Sequence, residues 1–394
     1  MKKILILGGA GTMGAEAARL LLERSDAQLT LADYNIKGLK RTEAELGNKV
    51  KTAVVDVNDR EALVKLLKTA DIAISTVGPF YKFATTILKA AIEAHVNIVD
   101  IDDDFDATKD SLDLDEAAKK AGITAIIGMG ASPGMTNLVA KLGADRLDST
   151  ENIRFYWVES ALDPTGPAAM IHWFHITSEK VPAFLDGKWV DVRGFSEPEE
   201  VEFMPPLGKQ TVIYTGHPEP VSLPRYIKGL KHCTIKGALY PAKMMELYGQ
   251  LIETGFGSRD EFIINENTRM PFRELAVKII RNMPRLAPAY FTDILHEALE
   301  KYSDCAGAFK IVVSGKKGGR NQTITYDLMA SNVAHSTALP AVIAAQALLD
   351  GKVKQTGVMA PEGALDARMF LEAMAKDATI WETVTVAKDG ITFD

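Results

Sequence analysis

The chain has 394 residues, 47% hydrophobic and 25% charged, with a net charge of −7. That length predicts two domains, and that charge argues against a nucleic-acid or anionic-membrane surface. The two distant cysteines, Cys233 and Cys305, read as free thiols of a reducing compartment with no metal-type Cys/His cluster.

Residues 4–7 form an apolar run that leads directly into Gly8-Gly9-Ala10-Gly11-Thr12-Met13-Gly14, and residues 13–24 then carry a helical pattern with Ala17, Ala18, Leu20 and Leu21 on one side. Strand, Gly9-x-Gly11-x-x-Gly14 and helix in that order are the dinucleotide-binding fingerprint. Gly9 allows the tight turn, Gly11 lets backbone approach a pyrophosphate, and Gly14 lets helix pack on strand. Thr12 and Met13 place the helix N-terminus, with its unpaired N–H groups, on the same phosphates. No lysine follows Gly14, so a triphosphate P-loop is excluded. A second strand, 28–32, ends at Asp33, where a carboxylate bonds the adenosine ribose hydroxyls and repels a 2′-phosphate. NAD is therefore the expected cofactor, with Lys37, Lys40 and Arg41 softening the preference toward NADP.

The alternation continues. Strand 50–55 ends at Asp56, Asp59 caps a helix through Leu67, and strand 71–77 is broken by Gly78-Pro79. Helix 83–95, strand 97–101, helix 115–121 with Gly122 as its C-cap, and strand 123–127 follow. Such βα alternation with continuous apolar strands predicts a Rossmann doubly wound parallel sheet over 1–130. Ligands sit beyond strand C-termini in these sheets, which places Asp56 and Val57 near the adenine, and Thr76, Val77 and Gly78 near the pyrophosphate and nicotinamide.

Beyond Gly130 the pattern changes. Ser132 caps and Pro133 starts a helix running through Leu147. Strand-like segments 153–158, 211–214, 233–235, 309–313 and 322–328 then mix with helices near 241–253, 271–282 and 288–301. The last two strands flank Gly315-Lys316-Lys317-Gly318-Gly319-Arg320, a hairpin turn. An α+β substrate domain is thus inserted over 131–335 in a chain of α/β class. Residues 336–394 supply an apolar helix (333–350), a second helix (361–375) and a terminal hairpin (381–393, turn at Asp389-Gly390), expected to pack back on the first domain. With the first strand starting at Ile4 and no apolar run of membrane-spanning length, a cytoplasmic protein is expected.

Several motifs in order resemble the saccharopine dehydrogenase-like oxidoreductases, the group of saccharopine reductases, lysine 6-dehydrogenases and carboxynorspermidine dehydrogenases. They are Gly8-Gly9-Ala10-Gly11, Ser75-Thr76-Val77-Gly78-Pro79-Phe80, Gly130-Ala131-Ser132-Pro133-Gly134-Met135-Thr136-Asn137, Leu223-Pro224-Arg225-Tyr226 and Gly357-Val358-Met359-Ala360-Pro361-Glu362. The resemblance implies oxidation or reduction at a carbon bearing nitrogen, an amino-acid or polyamine substrate, and a homodimer. Two departures stand out: Val221-Ser222-Leu223 precedes Pro224-Arg225, and residues 159–175 lack the double glycine common in saccharopine reductases.

An amino-acid substrate needs a cation for its carboxylate, and Arg225 offers a bidentate fork, with a surface ion pair as the alternative. A base near the strand C-termini points to Asp102, or else to capping of the loop with Asp103 and Asp104 in a solvated acidic run. His172 is the candidate proton shuttle; with His175 it sits in an aromatic patch beside Trp173 and Phe174, and His217 is a lesser candidate. Tyr81 lines the nicotinamide pocket or packs onto its loop, and Asn137 bonds the nicotinamide amide or faces solvent on its helix. Two other readings remain: a non-catalytic NAD-sensing regulator, and a reductase of C=O or C=C bonds.

Overall fold

The computed structural model describes residues 1–160, 163, 166–302, 307–330, 332–375 and 380–386, leaving aside the side chains of 301–302, 380–382 and 384–386. Cys305 lies outside the described residues. The chain divides into two compact units, residues 1–142 with 334–378, and residues 143–333 with 379–394.

The first unit opens with β1 (Lys3–Leu7), α1 (Thr12–Arg24), β2 (Gln28–Asp33), α2 (Ile36–Glu45), β3 (Lys51–Val54), α3 (Arg60–Leu67), β4 (Ile72–Ser75), α4 (Phe80–Ala94) and β5 (Asn97–Asp100). Two helices, α5 (Phe105–Leu112) and α6 (Asp115–Ala121), lead to β6 (Thr124–Ile126), and α7 (Met135–Asp145) carries the chain out. The second unit runs β7 (Ser149–Ser160), α8 (Pro167–Thr177), β8 (Lys180–Leu185), β9 (Lys188–Arg193), β10 (Glu199–Glu202), β11 (Lys209–Tyr214), α9 (Glu219–Tyr226), β12 (His232–Tyr240) and α10 (Ala242–Glu253). It continues with β13 (Glu261–Asn265), β14 (Thr268–Pro271), α11 (Phe272–Leu286), α12 (Pro288–Tyr302), β15 (Gly307–Lys317) and β16 (Arg320–Ala330). The last segment holds α13 (Val333–Leu349), β17 (Gly357–Met359), α14 (Pro361–Ala364), α15 (Ala367–Met374) and β18 (Ile380–Val386).

The first sheet is seven-stranded and parallel, in the order β17-β6-β5-β4-β1-β2-β3. Its central strands are buried without alternation, β4 along its full length and β1 after Lys3, because helices cover both faces. The strand order reverses between β1 and β4, so a crevice opens at their carboxyl ends. The sequence reading missed α2; it also missed α5, whose start it took for a solvated acidic run, and β17, whose three residues are too short to show a period.

The second sheet has nine strands, with β10-β11-β12-β7-β15-β16-β18 in order and β8–β9 attached through β12. Its centre is the long β7, parallel to β12 and antiparallel to β15. The β15–β16 turn is Gly318-Gly319, with φ of +57° and +76°, as a two-residue hairpin of right-twisted strands demands. One face carries Tyr156, Val158, Ala238, Tyr240, Ala308 and Val312 in a single core, while α9 and α10 pack on β12.

One expectation changes at the C-terminus. Residues 334–378 belong to the first unit, but β18 pairs antiparallel with β16 and joins the second sheet. It does not close a hairpin on the first unit, and the turn expected at Asp389-Gly390 lies outside the described residues. Between Ala364 and Ala367 the expected single helix breaks into α14 and α15, because Asp366 starts a new one by accepting from the Met369 N–H at 2.7 Å.

Candidate functional site

At the β1–α1 turn the backbone folds so tightly that side chains are excluded. Gly8 has a φ of +85°, and its N–H and that of Gly9 both donate to the Ala32 carbonyl, at 2.9 and 3.1 Å. A Cβ on Gly9 would meet the Leu31 Cβ at 2.6 Å, and one on Gly14 would run into the Gly8 carbonyl oxygen. Gly11 caps α1 with no side-chain hydrogen bond, so the helix presents bare N–H groups at Thr12, Met13 and Gly14, the donor set an anion needs. Thr76 closes the cradle from β4, its Oγ1 donating to the Leu7 carbonyl at 3.0 Å. Val77 and Gly78 follow it, half-buried.

Asp33 ends β2 beside this turn. Its Oδ2 accepts from the Ala10 N–H at 3.1 Å and its Oδ1 from the Asn35 N–H at 2.9 Å. The carboxylate therefore ties the glycine turn to β2, and each oxygen keeps a lone pair for a further donor. Arg41 of α2 reaches the same turn, with Nη2 at 3.4 Å from the Ala10 carbonyl. Asp56 is exposed, and its Oδ1 accepts from the Asn58 backbone and side-chain nitrogens at 2.9 Å, closing a local turn around Val57. The cradle, the open helix end and the acid together fit a dinucleotide.

The acidic run after β5 is buried rather than solvated. Asp100, Asp102 and Asp104 are 5%, 0% and 0% exposed. Asp100 Oδ1 accepts from the Asp102 and Gly128 N–H groups at 3.0 and 2.8 Å. Asp102 Oδ1 accepts from the Asp104 N–H at 3.0 Å and its Oδ2 from the Thr108 hydroxyl at 3.1 Å. Asp104 Oδ2 accepts from the Tyr81 N–H at 2.8 Å, capping the start of α4. Burial pushes the Asp100 carboxyl up to about 6. Asp102 is pushed well above the ordinary carboxylate range by burial first, then by the charges of Asp100 and Asp104. The capping alternative raised by the sequence is what the geometry of Asp102 matches, for one of its oxygens bonds within its own loop and the other to the Thr108 side chain of α5.

Asn137 is buried and neither faces solvent nor stands alone. Its Oδ1 accepts from the Gly134 N–H at 3.2 Å, and its Nδ2 donates to Glu362 Oε2 at 3.0 Å. Two motifs 225 residues apart thus meet at the carboxyl end of β6. The turn they brace is close-packed, since a Cβ on Gly134 would strike the Gly130 backbone.

The second unit gathers aromatic rings and histidines on the face of β7 opposite Tyr156 and Val158. Trp157 packs over Gly237 of the neighbouring strand, where a Cβ would strike the indole. The Trp157 ring contacts Trp173 edge-on at 5.7 Å and His217 at 5.4 Å between centroids. His172 meets His217 edge-on at 5.5 Å, and Tyr248 contacts Trp173 at 5.7 Å. His217 Nδ1 lies 3.7 Å from Glu219 Oε2, with side chains 6% and 0% exposed. Burial, and then the nearby His172, hold His217 well below the ordinary histidine range, so its ring is neutral at physiological pH.

His172 and His175 share α8 but turn to different neighbours. His175 Nδ1 accepts from Arg259 and Arg273, each at 3.1 Å, and Arg273 also donates to Glu179 at 2.9 Å. Arg225 is exposed in the last turn of α9, whereas Glu219, Val221, Ser222 and Leu223 of that helix are buried. The cation chosen from sequence thus stands on the open side of the helix, and the buried acid at its other end went unnoticed. Glu219 left no signal because Pro218, Pro220 and Pro224 hide the helix.

Residues 4–126 match the family model for the saccharopine dehydrogenase NADP binding domain, and residues 130–380 that for the saccharopine dehydrogenase C-terminal domain. The carboxynorspermidine synthase of Vibrio cholerae serotype O1 is 23% identical over 95% of this chain and 95% of its own length. The NADP(+), L-glutamate-forming saccharopine dehydrogenase of Schizosaccharomyces pombe is 25% identical over 71% of this chain and 64% of its own. In fold, the chain is similar to the apo saccharopine dehydrogenase (L-Glu forming) of Saccharomyces cerevisiae, with a TM-score of 0.66 and 17% identity, covering 98% of this chain and 100% of that one. No helix among the described residues is long and apolar enough to cross a membrane.

Proposed function

The chain belongs to the saccharopine dehydrogenase family, and from that membership we propose an NAD(P)-dependent oxidoreductase that acts at an amine-bearing carbon of an amino acid or polyamine precursor. The observation that carries this reading is the extent of the match: both family models together account for nearly all of residues 4–380. The polyamine side of the substrate class is supported by the Vibrio relative, which aligns over 95% of both chains.

The dinucleotide, when bound, supplies the hydride chemistry. Gly9, Gly11, Thr12, Met13 and Gly14 hold its pyrophosphate, Asp33 its adenosine ribose, and Asp56, Val57, Thr76, Val77 and Gly78 line the rest of its length. His172 takes the proton from the substrate amine, for it is a half-buried imidazole, the side chain suited to proton transfer. Asp102 shapes the loop after β5, and Arg225 serves as an outer contact for a substrate carboxylate. A homodimer and a cytoplasmic location complete the proposal.

Turnover across a panel of amino acids and carboxylated polyamines, read by nicotinamide absorbance with amine release or consumption measured in parallel, tests it. Tight dinucleotide binding with no turnover on the panel favours the sensor reading, and turnover with no amine change favours a C=O or C=C reductase. His172→Ala should lower kcat by about 10²-fold or more and leave dinucleotide affinity unchanged. A kcat within twofold of the parent removes His172 from the reaction.

A further inference from the structure

Two buried groups behind His172 have no part in the reaction described so far. We propose that Glu219 and His217 are positioning residues that orient the His172 ring and fix which of its nitrogens carries the proton. The proposal rests on His172 being the acid–base group.

The backbone sets the register. The Gly216 N–H donates to the Ile176 carbonyl at 2.8 Å, one helical turn beyond His172, so α8 is tied to the segment that carries His217. Trp189 Nε1 donates to the Pro220 carbonyl at 2.9 Å and holds the start of α9, which carries Glu219. The rings of His172 and His217 then meet edge to face, 78° apart in plane. Trp157, itself pressed onto Gly237, covers the His217 ring.

His217 has no hydrogen-bond partner at either ring nitrogen, and both atoms are shut from solvent. An imidazole left this way is costly, and an apolar residue of similar size would fill the space without that cost. Glu219 Oε2 lies 3.7 Å from its Nδ1, a gap that a small movement closes. A neutral ring that donates from Nδ1 to the carboxylate keeps Nε2 as an acceptor, and the titratable ring in contact with it is His172. No proton leaves the pair in this arrangement; it supplies orientation and charge, as outer partners do for a working histidine. Other titratable groups of the same unit at the box include Tyr248 of α10 and Glu159 of β7. The Tyr248 phenol is held up by burial and then by the Glu159 charge.

The experiment uses the full chain with Glu219→Gln, His217→Phe and His217→Asn, and follows the His172 ring by NMR titration, assigned with His172→Asn. Glu219→Gln and His217→Phe should move the His172 titration by about half a unit or more, shift the acid limb of the kcat profile with it, and lower kcat about tenfold. KM and dinucleotide affinity should stay within about twofold. His217→Asn, which keeps a donor near Nδ1, should recover part of the loss. An unmoved His172 titration and an unmoved pH profile in both Glu219→Gln and His217→Phe overturn the proposal. If His217→Phe does not fold, the isosteric Glu219→Gln decides alone. Loss of the reading itself is seen separately, as full activity in His172→Ala, whereas the ring titration reports on the pair whatever His172 does in turnover.

Discussion

Two glycines show how differently the units of this protein are built. At Gly14 an added Cβ would meet the carbonyl oxygen of Gly8, a backbone atom fixed by the hydrogen bonds of the β1–α1 turn. At Gly237 it would meet the indole of Trp157, a side chain. The first unit makes its site from main-chain geometry, and side chains there are removed to let a ligand approach. The second makes its site from side chains, and a glycine there leaves room for one of them. A backbone site is recognised from a short motif, whereas a side-chain site depends on residues far apart in sequence.

The same substitution at both places tests this contrast. In Gly14→Ala the turn has to move, at a cost of about 1–3 kcal/mol, and the dinucleotide loses its close approach. Affinity should fall by about 100-fold, equivalent to about 2.7 kcal/mol, with a lower Tm, measured by calorimetric titration and thermal unfolding. In Gly237→Ala the indole shifts and carries His217 with it. Dinucleotide affinity should stay within twofold while kcat falls about tenfold, since small displacements near a reacting centre are costly. Equal losses of dinucleotide affinity in both variants would dissolve the distinction.

What the sequence disclosed follows the same division. Gly9, Gly11, Gly14 and Asp33 are local, and the strand–turn–helix that carries them is visible within thirty residues. The central strands of the first sheet read as continuous apolar runs because they are buried on both faces, and six of its seven strands are legible. β17 is not, for three residues in a parallel ladder have no period of their own. In the second unit, the parallel pairing of β7 with β12 sets Trp157 beside Gly237, eighty residues away. No spacing rule finds that pair, nor the meeting of His172 with His217 across a helix and a loop. Asp102 and Asp104 read as solvated because acids usually are; in the fold they are buried and accept from the Asp104 N–H and Thr108 hydroxyl and from the Tyr81 N–H respectively.

Asp33 gives an intermediate effect, since it is a side chain serving a backbone site. In Asp33→Ala the Ala10 N–H loses its acceptor and the ribose loses a carboxylate. NAD affinity should fall about tenfold, the worth of about one charge-assisted hydrogen bond. NADP affinity should fall less or rise, because a charge opposing the 2′-phosphate is gone and Arg41 remains beside the turn. Equilibrium binding of both dinucleotides measures the ratio, and an unchanged ratio would show that Asp33 braces the turn without reading the ribose.

The smallest effect belongs to the buried acids after β5, where a side-chain cluster sits inside the unit otherwise organised by backbone. Folding raises the Asp100 carboxyl to about 6 and holds the Asp102 carboxyl well above the ordinary range, so between the unfolded and folded values the native state binds more protons than the unfolded one. Stability from this cluster therefore increases as pH falls from neutrality toward about 4 and is lost as pH rises, the opposite of an ion-paired carboxylate. Each unit of pH within that window is worth at most about 1.4 kcal/mol per group. Asp102→Asn imitates the protonated form, keeps Oδ1 for the Asp104 N–H, and removes one of the charges beside Asp100. Its Tm should exceed the parent's by a few degrees at pH 7.5, and the difference should shrink steadily toward pH 4.5. A difference independent of pH would mean that Asp102 is ionised in the folded state with its charge fully compensated, and a lower Tm at every pH would mean that the amide fails to serve the Thr108 hydroxyl.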